Sequence, residues 1–106
     1  MRVLIDNCLP VKLRDHIGGH TVETATYRGW RALSNGDLIA AAVGAGFDAV
    51  VSIDQGADFE RAIGGQPILG VLLPGSQGSR LEDVLPLVEG IEAALDRGQK
   101  GSIEKV

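Results

Sequence analysis

Four aspartates stand where strands end or helices begin in the predicted pattern of this chain. Asp6 and Asp54 each follow directly on a run of aliphatic residues, and Asp37 and Asp58 come at or near the starts of two helical stretches. Close carboxylates repel one another, so a cluster of them at neutral pH needs a cation or a shared proton. Oxygen ligands suit Mg²⁺ or Mn²⁺, which can polarise a phosphodiester and activate a water. These residues therefore indicate metal-dependent phosphodiester hydrolysis.

Aliphatic runs predict the strands that position these carboxylates. Continuous runs of this kind are typical of parallel strands covered on both faces, and they span Val3–Ile5, Ala49–Ile53 and Ile68–Leu73. Thr21–Thr24 predicts a further strand, and the closing GSIEKV could add a last edge strand. With helices between them, the order β-α-β-α-β-α-β-α-(β) predicts one α/β domain with a mostly parallel sheet of four to five strands.

The predicted sheet brings two of the aspartates together. Ligands of open α/β sheets bind beyond the carboxyl ends of the strands. If the first and third strands are neighbours, about 4.8 Å apart, Asp6 and Asp54 meet at one edge. Asp37 lies in the first turn of a helix that starts at the same edge, and a short loop would let Asp58 reach it.

Local signals predict where the helices begin. Ser34 followed by Asp37 and Ser79 followed by Glu82 both match the capping-box spacing. The second pair would open the longest helix, and Pro86 within it predicts a kink.

Each aspartate also has a purely structural explanation. A helix cap explains Asp37 as well as a ligand role does, and Asp58 can cap the helix that begins near Phe59. A strand-end aspartate such as Asp6 or Asp54 often just starts a turn. Against that, an acidic side chain directly after a buried strand is costly unless it is solvated or paired. The two explanations stay open for this pair.

Composition restricts the compartment and the partners. The net charge of −4 argues against an obligate, sequence-independent nucleic-acid binder but does not exclude a nuclease. The single cysteine, Cys8, cannot form an internal disulfide and predicts a reducing cytoplasm, with the thiol as a small buried hydrophobe. The opening MRVLIDNCLP is not a signal peptide, and no later stretch is long enough to span a membrane.

The loop after the second strand carries the candidate nucleic-acid contacts. Arg28 and Arg31 stand beside Trp30, the single tryptophan. The two arginines could hold a phosphate backbone while the indole stacks on a base. The alternative is a solvated loop with Trp30 packed on the core.

At these residues the chain resembles a family of small bacterial PIN-like proteins. The opening MRVLIDNCLP resembles that family's DExLP-type start, and the resemblance continues in GHTVETA, GWRALSNGDLIAAA, FDAVVSIDQ and QPILGVLLPGSQGSRLEDVLPLVEGIEAAL. It ends with GSIEKV and so covers almost the whole chain. No single motif is diagnostic, but their order and spacing together are fairly specific.

The resemblance implies a single PIN-like domain over residues 1–106, folded as a three-layer α/β/α sandwich. It also implies a Mg²⁺- or Mn²⁺-dependent endoribonuclease acting on RNA, as the toxin of a toxin–antitoxin pair with a cognate antitoxin as partner. The family's acidic positions fall on Asp6, Asp37 and Asp54, which are the expected catalytic and metal-binding residues, with Asp58 as an optional further ligand. Proteins of this type commonly form homodimers.

Two departures from the family pattern support an alternative. Asn7 stands where relatives usually carry Glu, and Gln55 stands where many carry a charged residue. Both changes weaken a metal site. The alternative is a catalytically weak or inactive PIN-like module that binds RNA or a partner protein.

Overall fold

Parallel strands form the central layer of the molecule. The computed structural model describes residues 1–53 and 56–106, and Asp54 and Gln55 lie outside the described residues. Within this part of the chain, one sheet of five parallel strands has the order β2-β1-β3-β4-β5. The strands are β1 (Arg2–Ile5), β2 (Thr21–Thr24), β3 (Ala49–Ile53), β4 (Leu69–Leu73) and β5 (Ile103–Lys105).

Helices connect the strands and cover both faces of the sheet. The α-helices in the described ranges are α1 (Asn35–Gly44), α2 (Ala57–Ile63), α3 (Leu81–Val84) and α4 (Val88–Arg97). Two 3₁₀ helices accompany them, over Val11–His16 between β1 and β2 and over Leu85–Leu87 between α3 and α4. No helix of this described part is both long enough and apolar enough to cross a membrane.

The core consists of two aliphatic layers, because successive side chains of a strand point to opposite faces of the sheet. One layer joins Val3 and Ile5 to the first 3₁₀ helix, α3 and α4, through buried residues that include Leu13, Val84, Ile91 and Leu95. The other layer joins Leu4 to α1 and α2, through Leu38, Ile39, Phe59 and Ile63. This confirms the predicted α/β/α sandwich.

The strand order places a switch point between β1 and β3. The chain moves from β1 outward to β2 on one side and then returns to form β3 on the other side. The crossovers therefore diverge at the carboxyl ends of these two strands, where ligands bind in open α/β sheets. The expectation that the first and third strands are neighbours is confirmed, with Ile5 opposite Val51.

The predicted strands agree with the structure within one residue, and the predicted edge strand forms as β5. One predicted helix start is wrong. The last long helical stretch begins at Leu81 with Arg80 at its N-cap, so Ser79 and Glu82 do not form the capping box. Instead, the backbone N–H of Arg80 donates to the carboxylate of Asp83 over 3.2 Å. The predicted kink at Pro86 is an interruption, with a 3₁₀ turn separating α3 from α4.

Candidate functional site at the carboxyl edge of the sheet

Asp6 lies at the switch point, one residue beyond β1. Its side chain is almost fully enclosed, and the residue is 4% exposed. Its backbone N–H donates to the carbonyl of Val51 over 3.0 Å and so extends the pairing of β1 with β3. Asp6 is therefore fixed at the edge where the sequence predicts it.

Two donors hold the Asp6 carboxylate. The buried hydroxyl of Ser52 donates to Oδ2 over 2.8 Å, and the backbone N–H of Asn7 donates to Oδ1 over 2.7 Å. A buried carboxylate is tolerated when hydrogen bonds replace its water. Ser52 was missed by the sequence reasoning, although one signal was present. It is the single polar residue in the otherwise aliphatic run Ala49–Ile53.

Cys8 extends this polar contact. Its Sγ lies 3.4 Å from the Ser52 hydroxyl oxygen, and the thiol can donate to that oxygen because the Ser52 proton is directed at Asp6. Burial raises the pKa of the Cys8 thiol, and the nearby Asp6 charge raises it further, although the Ser52 contact acts in the opposite direction. A thiol with a raised pKa holds its proton and is a poor nucleophile at neutral pH. The sequence predicts Cys8 to be a small buried hydrophobe and not a nucleophile. In the structure Cys8 is only half-buried, and its raised pKa argues against a nucleophilic role.

The connection from β2 to α1, residues 25–34, packs beside Asp6. We call it the β2–α1 loop. Its first residue, Ala25, donates its backbone N–H to the carbonyl of Ile5 over 2.8 Å. Further along, the carbonyl of Arg31 accepts a hydrogen bond of 3.1 Å from the side-chain amide of Asn7. The loop is thus fastened to the residues immediately before and after Asp6.

Asp37 and Asp58 lie at helix starts, as predicted, and both are exposed. The backbone N–H of Asp37 donates to the Ser34 hydroxyl over 3.3 Å, which confirms Ser34 as the N-cap of α1. The Asp58 carboxylate lies 3.3 Å from the guanidinium of Arg61, one turn further along α2. A helix cap and an ion pair within one helix are ordinary contacts for residues in the first turn of a helix.

The predicted metal ligands among the described residues do not form one cluster. Within residues 1–53 and 56–106, no three His, Cys, Asp or Glu side chains lie close enough together to hold a metal ion. Asp6, Asp37 and Asp58 are therefore not a metal site by themselves. Asp54, the predicted ligand that follows β3, lies outside the described residues.

Arg28 and Trp30, two of the three residues predicted to contact nucleic acid, make contacts with other side chains of the protein. Arg28 donates from Nε and Nη2 to the two carboxylate oxygens of Glu23, each over 3.0 Å. Its guanidinium also lies over the rings of Trp30 and Phe47, at 5.4 and 5.1 Å from the ring centres. Trp30 packs edge-on against Phe47, with ring centres 6.2 Å apart.

These contacts support the alternative in which Trp30 packs on the core. The Arg31 side chain is exposed, and it forms no ion pair with the rest of the described chain. Of the predicted trio, Arg31 is therefore the residue placed to meet a ligand from solvent.

Comparison with known proteins identifies no relative. No protein-family model matches the chain, and no match emerges from the curated proteins or the solved structures.

Proposed function

We propose that this protein is a Mg²⁺- or Mn²⁺-dependent endoribonuclease of the PIN-like type, with Asp6 as the central metal ligand. The observation that carries the proposal is the position of the Asp6 carboxylate. It is buried, doubly hydrogen-bonded and located at the switch point between β1 and β3. This is the edge at which open α/β sheets bind their ligands.

The donor set at Asp6 fits a hard cation. Each carboxylate oxygen can accept two hydrogen bonds, and one described donor approaches each, so lone pairs remain for a metal ion. Carboxylate oxygens are the ligands that Mg²⁺ and Mn²⁺ prefer. Ser52 and the Asn7 N–H would fix the orientation of the ligand, as hydrogen-bonding partners of metal ligands do.

The remaining residues of the proposed site have separate roles. Asp37 and Asp54 would complete the ligand set, with Asp58 as an optional member. When bound, the cation would polarise the phosphodiester and lower the pKa of the attacking water. The backbone hydrogen bond from Asp6 to Val51 would keep this metal ligand in place while RNA binds.

A second function, a non-catalytic module that binds RNA or a partner protein, is favoured by one observation. The Asn7 amide donates to the Arg31 carbonyl, so the position that carries Glu in the PIN-like family serves here to fasten a loop. A carboxylate could not make that contact, since it has no proton to donate. A toxin–antitoxin role, homodimer formation and a cytoplasmic location remain part of the proposal. The cytoplasmic location is compatible with a single cysteine, which cannot form an internal disulfide.

Cleavage of single-stranded RNA with Mn²⁺ tests the leading function. Asp6→Asn keeps the volume of the side chain and removes its charge, so it should abolish cleavage, as Asp6→Ala should. Asp15→Asn is the matched control, because Asp15 is an exposed aspartate on the first 3₁₀ helix that pairs with Arg14. If Asp6→Asn cleaves as fast as wild type, the site is wrongly assigned.

Calorimetry separates the two functions. Wild type should take up Mn²⁺ and Asp6→Asn should not, if the protein is a metal-dependent nuclease. RNA binding with no uptake of either Mn²⁺ or Mg²⁺ would support the non-catalytic module instead.

A further inference from the structure

Hydrogen bonds within the β2–α1 loop fix its conformation. The N–H of Trp30 donates to the carbonyl of Ala25 over 2.9 Å and closes the loop on itself. Next to this hydrogen bond, the Thr24 hydroxyl accepts from the N–H of Tyr27 over 3.0 Å. Gly29, within the loop, has a positive φ of 75°. Together with the bonds to Ile5 and Asn7, these contacts fix the loop against the edge that holds Asp6.

One aromatic side chain of this loop points into solvent. Tyr27, the single tyrosine of the chain, is 75% exposed. Trp30 and Arg28 are half-buried and pack on Phe47 and Glu23, so they anchor the loop to the fold. Two of the three residues predicted to bind nucleic acid, Arg28 and Trp30, thus hold the loop in place, and Tyr27 is the ring that the loop presents.

We propose that Tyr27 is a stacking platform for an unpaired base of single-stranded RNA, with the exposed Arg31 guanidinium contacting the adjacent phosphate. This inference deepens the proposed function, on which it rests, by naming the side chains that would bind the RNA. Stacking on an exposed aromatic ring holds single-stranded nucleic acid with little dependence on sequence. The loop follows β2 and is hydrogen-bonded to Ile5 and Asn7, on either side of Asp6. A strand held by this loop would therefore lie near the proposed metal ligand.

A rigid loop suits this role. Binding costs less free energy when the contacting group is already held in its bound position. In addition, bases within a duplex are stacked on one another and offer no free face to a protein ring. The platform therefore selects single strands over duplex RNA. The positive charge of the Arg31 guanidinium supplies a local attraction for phosphate on a chain whose net charge is −4.

Binding of a labelled adenine homopolymer RNA, measured by fluorescence anisotropy with a metal chelator present, tests the platform without cleavage. Tyr27→Ala should weaken binding by roughly tenfold or more, the loss expected for one stacked base. Tyr27→Phe keeps the ring and should bind as wild type does. Tyr27→Leu keeps apolar bulk without an aromatic face and should bind as weakly as Tyr27→Ala.

A spectroscopic measurement gives a second readout. Because the chain has one tyrosine, protein labelled with fluorotyrosine gives a single ¹⁹F resonance. The homopolymer should shift that resonance, and a duplex of the same length should leave it in place. All four proteins should unfold at similar urea concentrations, since Tyr27 is exposed.

The outcomes separate this inference from the proposed function. If wild type cleaves RNA but Tyr27→Ala binds and cleaves as wild type does, the platform is wrong and the nuclease stands. If Asp6→Asn and wild type both fail to cleave while Tyr27 still governs RNA binding, the platform stands and the nuclease is wrong. Equal RNA binding by Tyr27→Leu and Tyr27→Phe would overturn the stacking role, because Leu has no aromatic face, as would no RNA binding by wild type.

Discussion

The hydroxyl of Ser52 donates to the Asp6 carboxylate over 2.8 Å, across the pair of strands β1 and β3. Both residues are buried, and they continue the register in which Ile5 stands opposite Val51. Withdrawing a carboxylate from water is costly unless hydrogen bonds replace the lost solvation. The Ser52 hydroxyl therefore offsets part of the free-energy cost of burying the Asp6 carboxylate. The same hydrogen bond would orient Asp6 as a metal ligand under the proposed function.

Ser52→Ala should lower the free energy of unfolding by about 1.5–3 kcal/mol, the range for a hydrogen bond to a charged group. The substitution removes the hydroxyl and leaves Oδ2 of Asp6 buried without that donor. Urea unfolding followed by the fluorescence of Trp30 measures the change, because the chain has one tryptophan.

Ser79→Ala is the matched control for this prediction. Ser79 is exposed and lies outside α3, which begins at Leu81. Its replacement should change stability by less than about 0.5 kcal/mol, as surface substitutions usually do. An equal loss in the two variants would contradict both the Ser52 contact and the helix start.

Glu23→Gln should destabilise the protein at neutral pH and have little effect in acid. Hydrogen bonds from Arg28, and then from Arg2, hold the pKa of Glu23 below its usual range. A carboxylate of this kind stabilises the fold above its unfolded pKa, and that contribution is lost as the pH falls through the folded pKa. We expect a loss of about 1 kcal/mol at pH 7 for this partly exposed group, shrinking below about pH 4. Urea unfolding at a series of pH values measures it.

Glu104→Gln provides the comparison for Glu23. Glu104 pairs with Arg97 at the surface, and such single pairs contribute little. Its effect should be smaller than that of Glu23→Gln at pH 7. If Glu23→Gln lowers the free energy of unfolding equally at neutral and acid pH, the packing of the Glu23 side chain, and not its charge, would account for the loss.

Ser34→Ala and Asp37→Asn should separate the cap of α1 from the proposed metal site. Ser34 accepts the hydrogen bond from the Asp37 N–H, so its replacement should cost about 1 kcal/mol of stability and leave Mn²⁺ affinity unchanged. Asp37→Asn removes a charge near the helix N-terminus and should cost less than about 1 kcal/mol. Under the proposed function, calorimetry should show that Asp37→Asn binds Mn²⁺ more weakly than wild type. Unchanged binding would leave Asp37 with a structural role alone.

The strands could be predicted from the sequence because continuous aliphatic runs have few alternatives to a buried parallel strand. Thr21–Thr24 and Ala49–Ile53 match the structure at both ends. The start of α3 could not be predicted, since Ser79–Glu82 and Arg80–Asp83 both have the three-residue spacing of a cap. Local sequence does not decide between two registers one residue apart.

The site was less predictable than the fold, because its contacts join distant parts of the chain. Asp6 could be placed from its strand, but its donor Ser52 is 46 residues away. Trp30 and Arg28 were candidates for RNA contact because they are an aromatic and a cation in a loop, and packing of Trp30 on the core was the alternative. Their actual environment depends on Phe47 and Glu23, which the tertiary fold brings beneath the loop.

Gly29→Ala and Gly36→Ala should change stability in opposite directions. A Cβ added at either position meets no atom within 4 Å, so crowding plays no part in the comparison. Gly29 has a φ of 75°, in the left-handed region, whereas Gly36 lies in the first turn of α1. Alanine at position 29 should cost about 1 kcal/mol in backbone strain, and alanine at position 36 should add about 0.4–1 kcal/mol. Urea unfolding of the two variants measures both changes.

The same pair of variants tests whether the conformation of the β2–α1 loop matters for RNA binding. Gly29 lies between Tyr27 and Trp30, so strain there should disturb the ring that the loop presents. Gly29→Ala should therefore weaken binding of single-stranded RNA, and Gly36→Ala should not. If both variants gain stability, the positive φ at Gly29 is not required by the fold, and the fixed loop that the stacking platform depends on would lose its support.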